Sequence, residues 1–204
     1  GPDGWAVKGS ASTIRPISRR DSTGKLRALV RSDPAVSRSV RAAHRATLDF
    51  IRNPIGRSAA PMHTYFARIA DCAALKLVQA AQRDWAADAL AGTDYDGLPI
   101  LSAASPFKSG GRGGPEHFTD IPAGEIALRH ISDLYVFPNS IRALFIDGAL
   151  LRNWLERSAA QFLQLTPGRV DQPLLDPSAP SYNFDSIDGV TYEIDVEAPP
   201  RFNP

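Results

Sequence analysis

Short strand-like runs and segments of helical period interleave along this 204-residue chain without the regular rhythm of a parallel βαβ protein. That pattern predicts an α+β fold with mixed α/β layers. Trp5–Val7, Ile14–Ile17 and Leu26–Val30 read as isolated strands between Gly/Ser/Asp turns, too few to build a sheet alone. Asp33-Pro34 opens a helix, with an N-cap carboxylate followed by proline at the first helical position. Val36, Val40, Ala43, Thr47 and Phe50/Ile51 share one face of it until Asn53-Pro54-Ile55-Gly56 stops it near Arg52. Helical spacing returns over 62–90 through Phe66, Ile69, Ala73, Leu77, Ala80 and Asp84/Trp85, with Asp71 as an internal cap that would split it in two. Beyond it the sequence predicts a short buried strand over 97–104, a glycine-rich loop over 109–115, a helix opened at 122–125 and ending near Leu134, and a strand over 141–146. Asp147 caps a further helix whose buried face is Leu151, Trp154, Leu155, Ser158 and Phe162. A proline-rich stretch over 166–181 and a closing strand over 190–196 complete the chain.

A composition of 43% hydrophobic and 22% charged residues excludes a disordered tail, a collagen and a coiled coil. The net charge of +1 predicts no global attraction to nucleic acid or membrane. It hides a polarity: residues 1–60 carry twelve Lys/Arg against four Asp/Glu, and residues 171–204 carry one against seven. A chain so polarised reads as a piece of something longer, or as one whose two ends fold onto each other. The single Cys72 excludes an internal disulfide framework and a zinc site of several thiolates. No run reaches the roughly 18 apolar residues of a membrane span, and Gly1-Pro2-Asp3-Gly4-Trp5 does not read as a signal peptide.

The motifs of common catalytic centres are missing: G-x-S-x-G, H-E-x-x-H, C-x-x-C and the phosphate-binding G-x-x-x-x-G-K-[ST]. His44, His63, His117 and His130 are scattered, with no D-x-H or H-x-H pair to gather a metal. Neither catalytic nor metal-ligating residues are therefore assigned. Three segments carry the remaining chemistry. In Ser105–Pro115 four glycines permit close backbone approach, and Lys108 and Arg112 offer cationic donors to a phosphate or carboxylate; locally the segment also reads as a mobile surface loop. In Tyr135–Asn139, Phe137 offers a ring to a planar ligand and Asn139 an amide that reads an edge, or else the ring is a buried plug. Tyr182, Asn183, Phe184 and Asp185, with Gly189 and Tyr192, either line a pocket or pack a strand end.

Taken together, Pro99–Pro115 (PILSAASPFKSGGRGGP), Asp120–Glu125 (DIPAGE), Asp133–Asn139 (DLYVFPN), Gly148–Ala159 (GALLRNWLERSA) and Ser181–Tyr192 (SYNFDSIDGVTY) closely resemble bacterial 2′,3′-cyclic-nucleotide 2′-phosphodiesterase/3′-nucleotidases. His44–Gly56 (HRATLDFIRNPIG) is similar to the helix that starts their C-terminal domain, and the matches run in order over about residues 41–198. The resemblance implies a 5′-nucleotidase-type C-terminal domain over 33–204, lacking its last strands and a second stacking aromatic. Residues 1–32 would be the tail of a preceding calcineurin-like metallophosphoesterase domain and a linker. That preceding domain would hold two divalent metals, so this chain would need no cofactor and be inactive alone. By position Phe137 corresponds to the base-stacking aromatic and Asn139 to a base or ribose contact. Phe107, Lys108, Gly111 and Arg112 fall in the loop facing the ribose and phosphate side. The implied partners are a nucleoside or nucleotide and the metallophosphoesterase domain, in a periplasmic or secreted protein. The competing reading is a free-standing nucleotide- or RNA-binding module using the basic residues 1–60, which would bind with steep salt dependence.

Overall fold

A computed structural model describes residues 4–202. The chain divides between Phe50 and Ile51 into two compact units.

The first unit holds an antiparallel hairpin of β1 (Ser18–Arg20) and β2 (Leu26–Ala28), followed by α1 (Pro34–Ile51). Asp21 organises the hairpin turn. Its Oδ1 accepts from the Thr23 hydroxyl at 2.6 Å and from the amides of Thr23 and Lys25, and its Oδ2 accepts from Arg27 Nε at 2.8 Å. The Thr23 hydroxyl, then Arg27, hold its carboxyl down at about 2. Asp33 caps α1 as its sequence predicts, with Oδ1 accepting from Ala35 N at 2.7 Å. No residue from 4 to 50 is buried, so the apolar stripe through Val36, Val40 and Phe50 is exposed.

The second unit holds, in chain order, β3 (Pro54–Ser58), β4 (Met62–His63), α2 (Ala73–Leu90), β5 (Ser102–Ala104), β6 (Asp120–Ile121), β7 (Gly124–Ala127), α3 (Leu128–Leu134), α4 (Gly148–Ser158) and β8 (Ser186–Asp188). Its strands make three antiparallel pairs, β3 with β7, β4 with β6 and β5 with β8, each joining segments far apart in sequence. The core gathers Met62, Ala67, Cys72, Ala74, Leu75, Ala104, Ile121, Ile126 and Leu134, with Val78 and Ile131 packed on it. Ile121 is fully enclosed, a burial that contributes about 1.5–3 kcal/mol. The β5–β8 pair is pinned from α2, where the buried Gln79 donates Nε2 to the Ser186 carbonyl at 2.8 Å and Arg83 pairs with Asp188.

Several elements differ from their sequence reading. Trp5–Val7 and Ile14–Ile17 form no strand; the first pairing begins at Ser18. The helix expected over 62–90 starts only at Ala73, because 62–63 are drawn into the pairing with β6 and the following residues turn. Cys72, and not Asp71, occupies its N-cap position; Asp71 is ion-paired with Lys76. Its buried face is Ala74, Leu75, Gln79 and Ala86, whereas Phe66, Ile69, Leu77 and Trp85 are exposed. The run 97–104 yields a strand only at 102–104, and the helix expected from 122–125 begins at Leu128 after β7. Helix α4 stops at Ser158, and Phe162 follows a separate 3-10 turn. Residues 141–146 and 190–196 form no strand: 141–146 make no backbone hydrogen bond among the described residues, and 190–196 meet a neighbouring backbone only where Leu165 N donates to Val196 O at 2.8 Å, too little for a ladder. The strand near the end is instead Ser186–Asp188, satisfied by β5.

Candidate functional site

The site is assembled by a buried polar knot. Thr64 and Thr119 lie opposite each other just beyond the β4–β6 pair, where Thr64 N donates to Thr119 O at 3.0 Å and Thr119 N donates to Thr64 Oγ1 at 2.9 Å. The Thr64 hydroxyl donates to the Lys108 carbonyl, and the Thr119 hydroxyl donates to the Asp133 carbonyl at 3.0 Å. Lys108 closes the knot with a side-chain ion pair to Asp133. The base of the glycine-rich loop is thereby fastened to the end of α3.

This fastening brings three rings together. Phe107 packs edge-on against Tyr135, centroids 5.1 Å apart at 87°, and against Phe137 at 5.3 Å and 76°. Phe107 is partly buried between them, so it buttresses; Phe137 keeps 55% of its surface exposed and has a face to offer. Asn139 lies beside it on a tight turn, with its backbone N donating to Phe137 O at 2.9 Å and its Nδ2 donating to the Tyr135 hydroxyl at 3.2 Å.

The glycine-rich loop is tied at both ends. Ser109 bridges to Phe118, and Gly110 N donates to His117 O at 2.7 Å. Gly110 sits at φ +72°, and a Cβ there would meet the Phe118 ring at 2.8 Å; at Gly113 it would meet the His117 ring at 2.1 Å. Phe118 is held in turn by the edge of Tyr65, whose hydroxyl donates to Asp120 at 2.6 Å. That carboxylate pushes the Tyr65 pKa up.

Of the expected contacts, Phe107, Phe137 and Asn139 converge. Lys108 is committed to Asp133, its side chain only 21% exposed, so it orders the loop and is not a free cation. Arg112 is exposed and has no hydrogen-bond or ion-pair partner among the described residues. Gly111 overlies a residue that sequence reasoning missed: a Cβ on Gly111 would lie 3.6 Å from Nη1 of Arg68. Arg68 is only 7% exposed, with Nε donating to Gln161 Oε1 at 2.6 Å and Nη2 to the Ala179 carbonyl. Burial disfavours its charge and Asp176 offsets part of that. Nothing local marked Arg68 out, since its partners lie more than ninety residues away. The third segment does both things its sequence allowed: Phe184 is buried edge-on against Phe162 and Asp185 accepts from Trp154 Nε1 at 2.8 Å and from the Ser105 hydroxyl, while Asp185 and Gly189 also line a cavity and Tyr182 and Asn183 a smaller one.

Tyr135 and Asn139 also border an open, mainly apolar cavity of about 1330 Å³, with Trp85, Ile141, Leu144 and Phe145 on its wall. Phe107, Phe137 and the glycine loop lie outside that lining, so the ring cluster stands at its rim. Among the described residues no group of three His, Cys, Asp or Glu side chains could hold a metal ion, and no helix is long and apolar enough to cross a membrane.

The family described as 5′-nucleotidase, C-terminal domain, matches residues 54–202. The chain is 38% identical over 200 residues to the trifunctional nucleotide phosphoesterase protein YfkN of Bacillus subtilis, covering 98% of this chain and 13% of that protein. It is 37% and 36% identical to 2′,3′-cyclic-nucleotide 2′-phosphodiesterase/3′-nucleotidases of Yersinia enterocolitica and Salmonella typhimurium, covering 98% of this chain and 31% of each. It thus spans less than a third of the length of these curated relatives. A solved Staphylococcus aureus structure described as a 5′-nucleotidase has the same fold, with a TM-score of 0.58 at 20% identity over 91% of this chain and 35% of that one. The six motifs of the sequence, the mixed α/β fold and the match over 54–202 agree: this chain belongs to the 5′-nucleotidase C-terminal domain family.

Proposed function

We propose that this chain is the nucleoside-recognition part of a metal-dependent hydrolase of 2′,3′-cyclic nucleotides and 3′-nucleotides. The observation that carries the reading is the half-exposed Phe137 ring, backed edge-on by Phe107 and flanked by the amide of Asn139. A base stacked on that ring gains about 1–3 kcal/mol, and the amide reads its edge. The loop carrying Gly111 and Arg112 serves the ribose and phosphate side.

Two divalent metals belong in this reading to a preceding metallophosphoesterase domain and supply the hydrolytic chemistry there. Among the described residues no group of three His, Cys, Asp or Glu side chains could hold a metal ion, and the chain's own share is to bind and orient the ester so that phosphorus is presented correctly. A periplasmic or secreted location accompanies the same reading.

The test is an NMR titration of the chain with adenosine and uridine. Millimolar binding with shifts centred on Phe137 and Asn139, nearly independent of salt, is expected. Binding that weakens steeply with salt and maps to the arginines of residues 1–60 would replace this reading with the nucleic-acid one.

A further inference from the structure

Strand β5 ends where the glycine-rich segment 105–115 begins, and the way it ends is specific. The register Ser102↔Asp188, Ala103↔Ile187, Ala104↔Ser186 would next set Ser105 opposite Asp185, but Pro106 follows and has no N–H for a ladder. There the pairing passes to side chains, and the Ser105 hydroxyl donates to Asp185 Oδ1. The other carboxylate oxygen accepts Trp154 Nε1 from α4 at 2.8 Å, and Asp185 N donates to the buried Ser158 hydroxyl at 3.1 Å. The sense of the side-chain bonds follows from the groups: an indole N–H only donates and a carboxylate only accepts, so the serine that faces it donates. Asp185 is thus held by α4 and gives its free oxygen to the head of the loop. Pro106 is fully enclosed and its ring fixes φ, which makes it a stiff link from Ser105 to Phe107. Phe107 is the ring that meets both Tyr135 and Phe137.

We propose that Asp185 is a positioning residue for the ring cluster: acting through Ser105 and Pro106, it sets where Phe107 stands and so how Phe137 is backed. The proposal rests on the nucleoside reading of that cluster and adds to it a residue that acts through others. Lys108 fastens the loop to α3 just after Phe107, and Asp185 fastens it to α4 just before. An asparagine at 185 cannot replace it, because its single acceptor oxygen serves either Ser105 or Trp154 and its NH2 faces the other donor.

The experiment follows the Phe107 and Phe137 ring resonances by NMR, and titrates adenosine, in the chain and in Ser105→Ala, Asp185→Asn and Asp188→Asn. Asp188 is the comparison because it lies on the same stretch of chain, but its partner, Arg83, is on α2. Ser105→Ala and Asp185→Asn are expected to move both rings and to weaken adenosine about two- to tenfold, since losing one net hydrogen bond lowers the population of the ordered loop by that factor. Combining them is expected to weaken it no further than Asp185→Asn alone, because the two ends of one bond act as a unit. Asp188→Asn is expected to lower the urea midpoint and leave rings and affinity unmoved. Rings unmoved in Ser105→Ala, rings moved as far by Asp188→Asn, or additive losses in the double variant overturn the proposal. If Asp185→Asn does not fold, Ser105→Ala against Asp188→Asn decides by the same criteria, because it removes one hydroxyl and no charge. A wild type that binds no adenosine, with the rings moving as expected, removes the nucleoside reading and leaves the hold of Asp185 on the cluster standing.

Discussion

The loop over 109–118 and the segment over 137–146 flank the same ring cluster and contain little regular structure, yet they are held in opposite ways. The loop is laced by backbone bonds from Gly110 to His117, Gly113 to Gly110 and Gly114 to Gly111, and its glycines lie under the rings of His117 and Phe118. In the other segment, residues 140–146 make no backbone hydrogen bond among the described residues, and Phe145 is 79% exposed. Four glycines in a row of eleven suggest freedom, and an apolar run such as Ile141–Ile146 suggests a strand. The reverse holds: Gly110 and Gly113 allow tight packing, and the apolar run lacks a strand partner. Irregular backbone is rigid or loose according to where its polar groups and neighbouring rings go, not according to its residue types.

The comparison can be broken most directly at Gly110. Gly110→Ala is expected to lose about 2–4 kcal/mol in urea unfolding, from left-handed strain plus the collision with Phe118. Phe145→Ala, in the loose segment, should stay within about 0.5 kcal/mol. Equal effects would mean that the two segments do not differ in how they are held. Next in size, Phe137→Ala should cost about 1–3 kcal/mol of nucleoside binding in the NMR titration, with little change in the urea midpoint because the ring is half exposed. A large loss of stability instead would make Phe137 a packing residue.

Lys108→Met removes the ion pair that fastens the loop to α3. Both partners keep some exposure, so a loss of about 1–2 kcal/mol is expected, between the surface and buried limits. Altered shifts at Phe107 and Phe137 would show that the knot sets the ring geometry; unaltered shifts would confine its effect to the loop. The smallest effect concerns the hairpin turn at Asp21, a loop held by a carboxylate and not by packed rings. Its folded pKa, about 2, lies below the ordinary 3.8, so its stabilisation is complete above pH 4 and disappears as pH falls through 2. Amide exchange at Thr23 and Lys25 should accelerate over that window, while Gly110 stays protected. Unchanged exchange at Thr23 would show that the carboxylate does not hold the turn.

What was legible in the sequence followed the range of the interactions involved. Asp33 and Asp147 were readable as caps because a cap bonds within three residues, and both accept those bonds. The face of α4 was readable only in part: Ser158 is buried, whereas Leu151, Trp154 and Leu155 are half-buried. The family motifs carried the fold class and pointed to Phe107, Phe137 and Asn139, which the structure gathers. The start of α2 was not legible, because residues 62–63 are claimed by a pairing some sixty residues away. Nor was the buried face of α2, since Gln79 faces inward only to meet Ser186.

By itself, then, the sequence determined what local bonding and residue chemistry can determine: where α1 and α4 begin, that the fold is mixed α/β, and which aromatic and amide are the candidates for recognition. Tertiary structure alone decided that Lys108 is spent on Asp133, that the buried Arg68 underlies Gly111, and that Tyr135 meets the Asn139 amide. It also decided that Gly110 and Gly113 are packed under rings and that the apolar run at 141–146 forms no strand. The physical reason is the same throughout: a hydrogen bond or a ring contact is settled by its partner, and here the partners lie far along the chain or on the next turn of a fold that must form first.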